Sequence, residues 1–171
     1  MKIVKVILSV LVVQAIFLVF FVYSGLYNVS TLSPDPAVVK WLFSTTSDNS
    51  AEHYSKGIPV PSLNEPSMID AGFKDYREMC VTCHSAPGIN TSPINKGLYP
   101  HPPNLADSAK ELPANRLFWV IKNGIKSTGM PGFGKTHPDR KIWDCVAFLE
   151  KMKNMTPEDY AAMRNRLVDK K

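Results

Sequence analysis

Cys80-Val81-Thr82-Cys83-His84 forms a C-x-x-C-H run, and this run carries the most specific chemical signal in the chain. Two thiols at this spacing add to the two vinyl groups of a haem and so attach the porphyrin covalently. The histidine that follows directly is placed under the iron, where its Nε2 becomes the proximal ligand. We therefore predict one covalent c-type haem, attached through Cys80 and Cys83, with His84 as an iron ligand.

Other uses of these cysteines fit the sequence less well. A structural zinc site needs four ligands, and a second Cys/His pair at metal-ligand spacing is missing from the sequence. A thioredoxin-type redox motif needs a βαβ context, and no strand pattern surrounds the run. Cys145 lies within an apolar stripe of helical spacing, so we interpret it as a small buried hydrophobic residue.

Met130 lies in a loop rich in glycine and proline, between residues 123 and 134. A methionine that only fills the core is expected on a helix face, whereas flanking glycines let the backbone come close to a porphyrin. Together with the C-x-x-C-H run, this loop resembles the class I cytochromes c, and the resemblance covers about residues 67–153. It implies that Met130 closes the sixth iron position. Three histidines compete for that role and are interpreted as surface or capping residues: His53, His101 and His137.

The same resemblance implies an all-α fold, in which helices wrap one covalent haem and the first helix of the domain crosses its carboxy-terminal helix. Gly72 and Tyr76 match the glycine and the aromatic residue of that crossing. It also implies that a proline carbonyl accepts the Nδ1–H of His84, and Pro87 and Pro102 both remain candidates. Taken whole, the chain resembles a bacterial group of membrane-anchored mono-haem cytochromes.

Periodicity and capping signals predict the remaining elements. Helices are expected over 36–56, over 113–123, from Pro138 onward and after a cap at Thr156, with a charged tail beyond the last. Ser67 and Asp70 resemble a capping signal for the helix that runs into the haem motif. Proline density predicts an extended strap over 58–66 and no regular structure over 86–103.

The segment from Ile3 to Leu26 is almost wholly apolar and long enough to span a bilayer. Since a signal peptide normally has an apolar core of only about 7–15 residues, we expect the segment to be retained as an anchor. Lys2 and Lys5 lie at its amino-terminal end, before the uncharged stretch, which predicts a cytoplasmic amino terminus and a haem domain on the periplasmic side of the inner membrane. The chain then divides into an anchor (1–27), a connector (28–66) and a cytochrome c domain with an extra helix (67–171).

The first half of the connector helix is apolar, with Val38, Val39, Leu42 and Phe43 at helical spacing. This half could lie on the membrane surface, or pack on a partner subunit or on the haem domain, and the sequence leaves these alternatives open.

Lys plus Arg outnumber Asp plus Glu by 20 to 15. This surplus is too mild and too interspersed for nucleic-acid binding. Lys96, Lys122, Lys126 and Lys135 lie around the expected haem edge, so we predict a docking face for an acidic redox protein.

A haem with two protein ligands suits one-electron transfer, because no open iron position is left for substrate. The predicted function is that of an electron carrier, either free or as a subunit of a membrane oxidoreductase, and not of an enzyme by itself. The alternative is a haem enzyme or a gas or redox sensor with a labile sixth ligand.

Overall fold

The computed structural model of the protein describes residues 2–108 and 111–167. The charged tail predicted after the last helix lies outside these residues. About 65% of the chain is helical, and the described residues contain no strand beyond an isolated bridge between Ala86 and Ile89. The predicted all-α class is therefore confirmed. The chain divides into two compact units, residues 1–34 and 35–171, and each is described by itself.

In the first unit, helix α1 runs over Lys2–Tyr23 and none of its residues is buried. An 18-residue stretch of this helix has a mean hydropathy of 2.8, and with 22 residues the helix is long and apolar enough to cross a membrane. The helix ends three residues before Leu26, the predicted limit. The reason is local, because Ser24 Oγ donates to the Phe21 carbonyl and Gly25 turns the chain with a φ of 67°.

The second unit consists of short helices joined by loops. They are α2 (Ala37–Ser55), α3 (Pro66–Met79), α4 (Val81–His84), α5 (Pro93–Gly97), α6 (Leu105–Ser108), α7 (Ala114–Asn123), a 3₁₀ turn (Phe133–Lys135), α8 (Asp139–Met152) and α9 (Pro157–Leu167). The predicted helices over 36–56 and 113–123 and from Pro138 onward agree with α2, α7 and α8 to within a few residues.

The core of this unit is built on the crossing of α3 and α8. Gly72 lies against the backbone of α8, where a Cβ atom would be 2.5 Å from the Asp144 carbonyl carbon, so only glycine allows this approach. Phe73 and Phe148 are fully buried beside it and meet edge to face, with ring centroids 5.4 Å apart. The helix crossing predicted from Gly72 and Tyr76 is present.

Helix α9 covers one side of the crossing through Tyr160, whose ring centroid lies 5.4 Å from that of Phe73. Its start is capped by Thr156, as the sequence predicted, and the structure adds that the cap is reciprocal. Thr156 Oγ1 accepts the Asp159 N–H at 3.1 Å, and Asp159 Oδ2 accepts the Thr156 N–H at 3.0 Å. The hydrogen bond from the Thr156 N–H, with a smaller contribution from the Thr156 side chain, favours the carboxylate and holds the pKa of Asp159 below its usual range.

The capping prediction for α3 is wrong. The helix begins at Pro66 after Glu65, and no side chain of the described residues caps it. Asp70 instead forms a bidentate ion pair with Arg166 of α9, at 2.7 and 3.0 Å. Proline at the first helical position already removes one of the N–H groups that a capping side chain would satisfy.

Candidate haem site

The C-x-x-C-H run continues helix α3 into α4 almost without a break. The Cys80 N–H donates to the Tyr76 carbonyl, and the His84 N–H donates to the Cys80 carbonyl, both at 2.8 Å. Residues three and four apart lie on one side of a helical turn, so this geometry brings Cys80, Cys83 and His84 to the same side. The turn ends at Ser85, whose φ of 57° redirects the chain. The buried Tyr76 hydroxyl donates to the Ser85 carbonyl at 2.6 Å and stabilises that change of direction.

His84 Nδ1 lies 2.9 Å from the carbonyl oxygen of Pro103. Because a carbonyl only accepts hydrogen bonds, Nδ1 carries the hydrogen, and Nε2 retains the lone pair that a metal ligand requires. Burial lowers the pKa of His84, and the bond to Pro103 opposes that shift. The ring is thus suited to remain neutral, which is the ligating form.

Pro103 corrects the sequence-based expectation, which named Pro87 and Pro102 as the candidate acceptors. The Pro102 carbonyl instead accepts a hydrogen bond from Asn95 Nδ2 at 2.9 Å. Sequence pattern does not separate neighbouring prolines, because the choice depends on how the loop is folded back over α4.

Asn95 is the residue of this site that the sequence analysis missed. It is buried, and its Nδ2 donates to the carbonyls of Cys83 at 2.6 Å and of Pro102 at 2.9 Å. One amide group therefore joins the haem-attachment turn to the loop that holds His84.

Asn95 lies on α5, in a segment that was predicted to lack regular structure, and this prediction is wrong. Ser92 caps the helix by accepting the Asn95 N–H at 3.1 Å, and Pro93 occupies its first turn. Ser92 Oγ also donates to the Thr82 carbonyl. A helix of five residues is too short to show periodicity, but the Ser-Pro pair was a signal for its start.

The Met130 loop is held by its own hydrogen bonds. The Ile125 N–H donates to the Met130 carbonyl at 3.2 Å, and Thr128 Oγ1 accepts the Met130 N–H at 3.1 Å. At Gly124, which has a φ of 68°, a Cβ atom would lie 2.6 Å from the Pro131 carbonyl carbon. The glycines therefore allow a tight fold of the backbone around a half-buried Met130.

The Met130 loop also touches the segment that follows the haem motif. A Cβ atom on Gly129 would lie 2.7 Å from Leu98 Cδ2, so the two loops are in close contact there. Leu98 follows α5 directly, and α5 is bonded to Cys83 through Asn95. A short series of contacts thus links the segments of His84 and Met130, although they are far apart in sequence.

The residues present suit a haem better than a metal bound by protein side chains alone. Within residues 2–108 and 111–167, no group of three His, Cys, Asp or Glu side chains is placed to hold a metal ion. A porphyrin supplies four nitrogen ligands itself, so one histidine and one methionine suffice from the protein.

The cysteines do not resemble a reactive thiol pair. Cys80 and Cys83 are half-buried and not disulfide-bonded. Burial, with smaller contributions from Asp75 and Cys83, raises the pKa of Cys80 to about 12. Burial likewise raises the pKa of the Cys145 thiol, which agrees with its interpretation as a core residue.

The other histidines have local roles. His101 Nδ1 lies 3.4 Å from the Asn95 carbonyl, and His137 Nδ1 lies 2.8 Å from Thr136 Oγ1. His53 meets the Tyr54 ring edge to face. These contacts fit the interpretation of the three as surface or capping residues.

The lysines of the predicted docking face are not equivalent. Lys96, Lys126 and Lys135 are exposed. Lys122 instead pairs with Asp139 at 2.7 Å and lies over the Phe118 ring, 5.5 Å from its centroid. Its charge is therefore partly offset, whereas Lys126 and Lys135 are exposed and flank the Met130 loop.

The candidate site lies within a region that matches a known protein family. Residues 67–149 match the family described as cytochrome C oxidase, cbb3-type, subunit III. No curated protein matches. A solved chain of the reducing HAO-like protein complex of Kuenenia stuttgartiensis is similar, with 20% identity and a TM-score of 0.45. The match covers 60% of the present chain and 54%, about half, of that solved chain.

Proposed function

Because residues 67–149 match a cytochrome c family and contain the C-x-x-C-H run, we propose that this protein is a mono-haem class I cytochrome c that transfers single electrons between redox proteins. Cys80 and Cys83 would attach the haem, and His84 and Met130 would supply the two protein ligands of its iron. A c-type haem, when bound, supplies an iron that cycles between the ferrous and ferric states.

The observation that best supports this proposal is the hydrogen bond between His84 Nδ1 and the Pro103 carbonyl. It orients the imidazole and keeps Nε2 available as a ligand, which a histidine outside a metal site does not require. The half-buried Met130 would contribute a soft thioether that favours the ferrous state, so we expect a relatively high midpoint potential.

Replacing Met130 tests the ligand assignment and the class of function together. Met130→Ala should lower the midpoint potential and create a site that binds carbon monoxide, whereas the parent in its reduced form should bind it slowly or not at all. Met68→Ala, at the start of α3, is the matched control and should leave both properties unchanged. An unchanged Met130→Ala spectrum and potential would refute the assignment. Rapid carbon monoxide binding by the parent would favour the alternative of a haem enzyme or a sensor.

We further propose that α1 anchors the protein in the inner membrane, with a cytoplasmic amino terminus and a periplasmic haem domain. The support is the length and apolarity of α1 and the position of Lys2 and Lys5 before its apolar stretch. Intact-mass measurement of the purified protein tests retention of the anchor, and a mass that begins near Gly25 would contradict it.

The proposed partner is a redox protein with an acidic docking face, met either by diffusion or within a membrane oxidoreductase complex. Lys126 and Lys135 are both exposed and flank the Met130 loop. Long-range attraction by such charges raises the rate of encounter and weakens with salt, because the Debye length is about 10 Å at 0.1 M.

Charge reversal at Lys126 and Lys135 should therefore slow bimolecular electron transfer at low salt and change the midpoint potential little. The control is reversal at the exposed Lys74 and Lys151, which changes the net charge equally on other elements. Rates are compared over a series of ionic strengths. If both double variants follow the parent curve, docking lies elsewhere or the partner is permanently bound.

A further inference from the structure

Helix α2 has two halves that differ in their surroundings. The carboxy-terminal half packs on α7, where Tyr54 stacks on Trp119 with ring centroids 5.9 Å apart and Asn115 Nδ2 donates to the Ser55 carbonyl at 2.9 Å. The amino-terminal half carries four large apolar side chains that are between 53% and 65% exposed: Val38, Trp41, Leu42 and Phe43. The haem domain therefore leaves all four side chains more than half exposed.

The exposed apolar side chains spread over about 200° of the helix surface, centred near Leu42. At about 100° per residue, Val38 and Leu42 are nearly aligned, and Trp41 and Phe43 flank them on either side. Lys40 projects from the opposite side. Residues 36–47 contain Lys40 and no acidic residue. A helix with tryptophan, leucine and phenylalanine on one side and lysine on the other is typical of segments that lie in a membrane interface.

The chain length before α2 restricts where this half can lie. Helix α1 ends at residue 23 and α2 begins at residue 37, so 37 − 23 − 1 = 13 residues join them. Even a fully extended link of this length spans only about 45 Å, at roughly 3.5 Å per residue. The link also carries exposed apolar side chains, since Leu26, Val29 and Leu32 are 72–88% exposed.

We propose that Val38, Trp41, Leu42 and Phe43 insert into the lipid headgroup region, so that α2 forms a second, peripheral membrane contact in addition to the anchor α1. This inference rests on the proposed membrane anchor. The contacts between α2 and α7 described above are reinforced by the Asp48–Arg116 ion pair, at 2.9 Å, which joins the same two helices. A membrane contact of α2 would therefore also hold the rest of the haem domain near the membrane. The haem domain would then face the membrane in a restricted orientation instead of rotating freely on a tether.

Photo-crosslinking to lipid tests this contact with the full-length haem-loaded protein. The photoreactive residue benzoylphenylalanine replaces Leu42, the opposite-side Lys40 or the mid-anchor Val13, one position at a time. Each protein is reconstituted as one chain per nanodisc of phosphatidylcholine with phosphatidylglycerol, and adducts are identified by intact mass. We expect abundant lipid adducts at positions 13 and 42, and severalfold fewer at position 40. With the photoreactive residue at position 43, Trp41→Glu plus Leu42→Glu should lower the lipid adduct severalfold.

The possible results separate the two proposals. Lipid adducts at position 13 without an excess at position 42 over position 40 would overturn the peripheral contact and leave the anchor supported. Loss of adducts at position 13 would overturn the anchor, and the peripheral contact with it. In native membranes, a crosslink from position 42 to a second copy or to another protein, in place of lipid, would also overturn the proposal. All these side chains are exposed, so the substitutions are not expected to prevent folding.

Discussion

The two sides of the haem-binding unit are held together by different forces. The crossing of α3 and α8 is a packed apolar core, where Phe73, Val146 and Phe148 have no solvent exposure. The loops over 85–104 contain few buried apolar side chains and are held mainly by hydrogen bonds to backbone carbonyls. Those bonds come from Tyr76, His84 and Asn95.

This difference matches the tasks of the two regions. Apolar packing is strong in sum but not directional, so it stabilises a crossing of two helices without fixing a single ligand orientation. Hydrogen bonds to carbonyls contribute little net stability each, but they specify direction, which an iron ligand requires. We therefore expect core substitutions to reduce stability mainly, and loop substitutions to change the properties of the haem iron at smaller cost in stability.

The largest expected effect is at Gly72. Gly72→Ala would place a methyl group against the Asp144 carbonyl and 3.0 Å from the Cys145 nitrogen, and both are backbone atoms that cannot rotate away. The two helices must separate, at a cost of about 3 kcal/mol in the free energy of unfolding. Thermal unfolding followed by circular dichroism measures this.

Gly97→Ala is the matched control, because a Cβ atom at Gly97 meets nothing within 4 Å. It should change the unfolding free energy by less than about 0.5 kcal/mol. Equal losses of unfolding free energy in the two variants would show that the crossing of α3 and α8 is not tightly packed.

The same contrast explains how much of the molecule could be predicted from its sequence. Apolar periodicity predicted α8, and the resemblance to class I cytochromes c implied the role of Gly72 in the crossing. The attachment residues follow from the C-x-x-C-H spacing. Asn95 and Pro103 were not predictable, because their partners are backbone carbonyls, which every residue has and no sequence pattern marks. The exposure of Trp41 likewise depends on where α2 leaves α7, which local sequence does not encode.

An intermediate effect is expected at Asn95. Asn95→Ala removes the donors to the Cys83 and Pro102 carbonyls and leaves both without this partner, at a cost of about 1–3 kcal/mol. The midpoint potential should also shift, because the loop that bonds His84 loses its link to the attachment turn. Asn154→Ala, at an exposed position, should change neither quantity. A loss of stability without any shift in potential would mean that these loops serve packing only.

The smallest effect is expected at Asp144, a polar residue within the packed crossing of α3 and α8. Asp144 is 7% exposed, and its Oδ1 has no hydrogen-bond partner among the described residues. Burial raises the pKa of this carboxyl above its usual range, with Asp75 adding to the shift and Arg140 opposing it. The folded state therefore holds this proton more tightly than the unfolded state does.

The sign of the pH dependence follows from that difference. A raised pKa in the folded state means that the carboxyl has no net effect on stability below its unfolded pKa and destabilises the fold progressively as the pH rises through the folded value. Asp144→Asn cannot ionise, so its melting temperature should match the parent in acid and exceed it slightly near neutral pH. Asp139→Asn on the same helix provides the control, since it removes the ion pair with Lys122 and should lower the melting temperature slightly near neutral pH. A melting temperature of Asp144→Asn that fell below that of the parent as the pH rose would mean that the ionised carboxylate has a stabilising partner. The crossing of α3 and α8 would then depend on directed polar contacts, as the loops over 85–104 do.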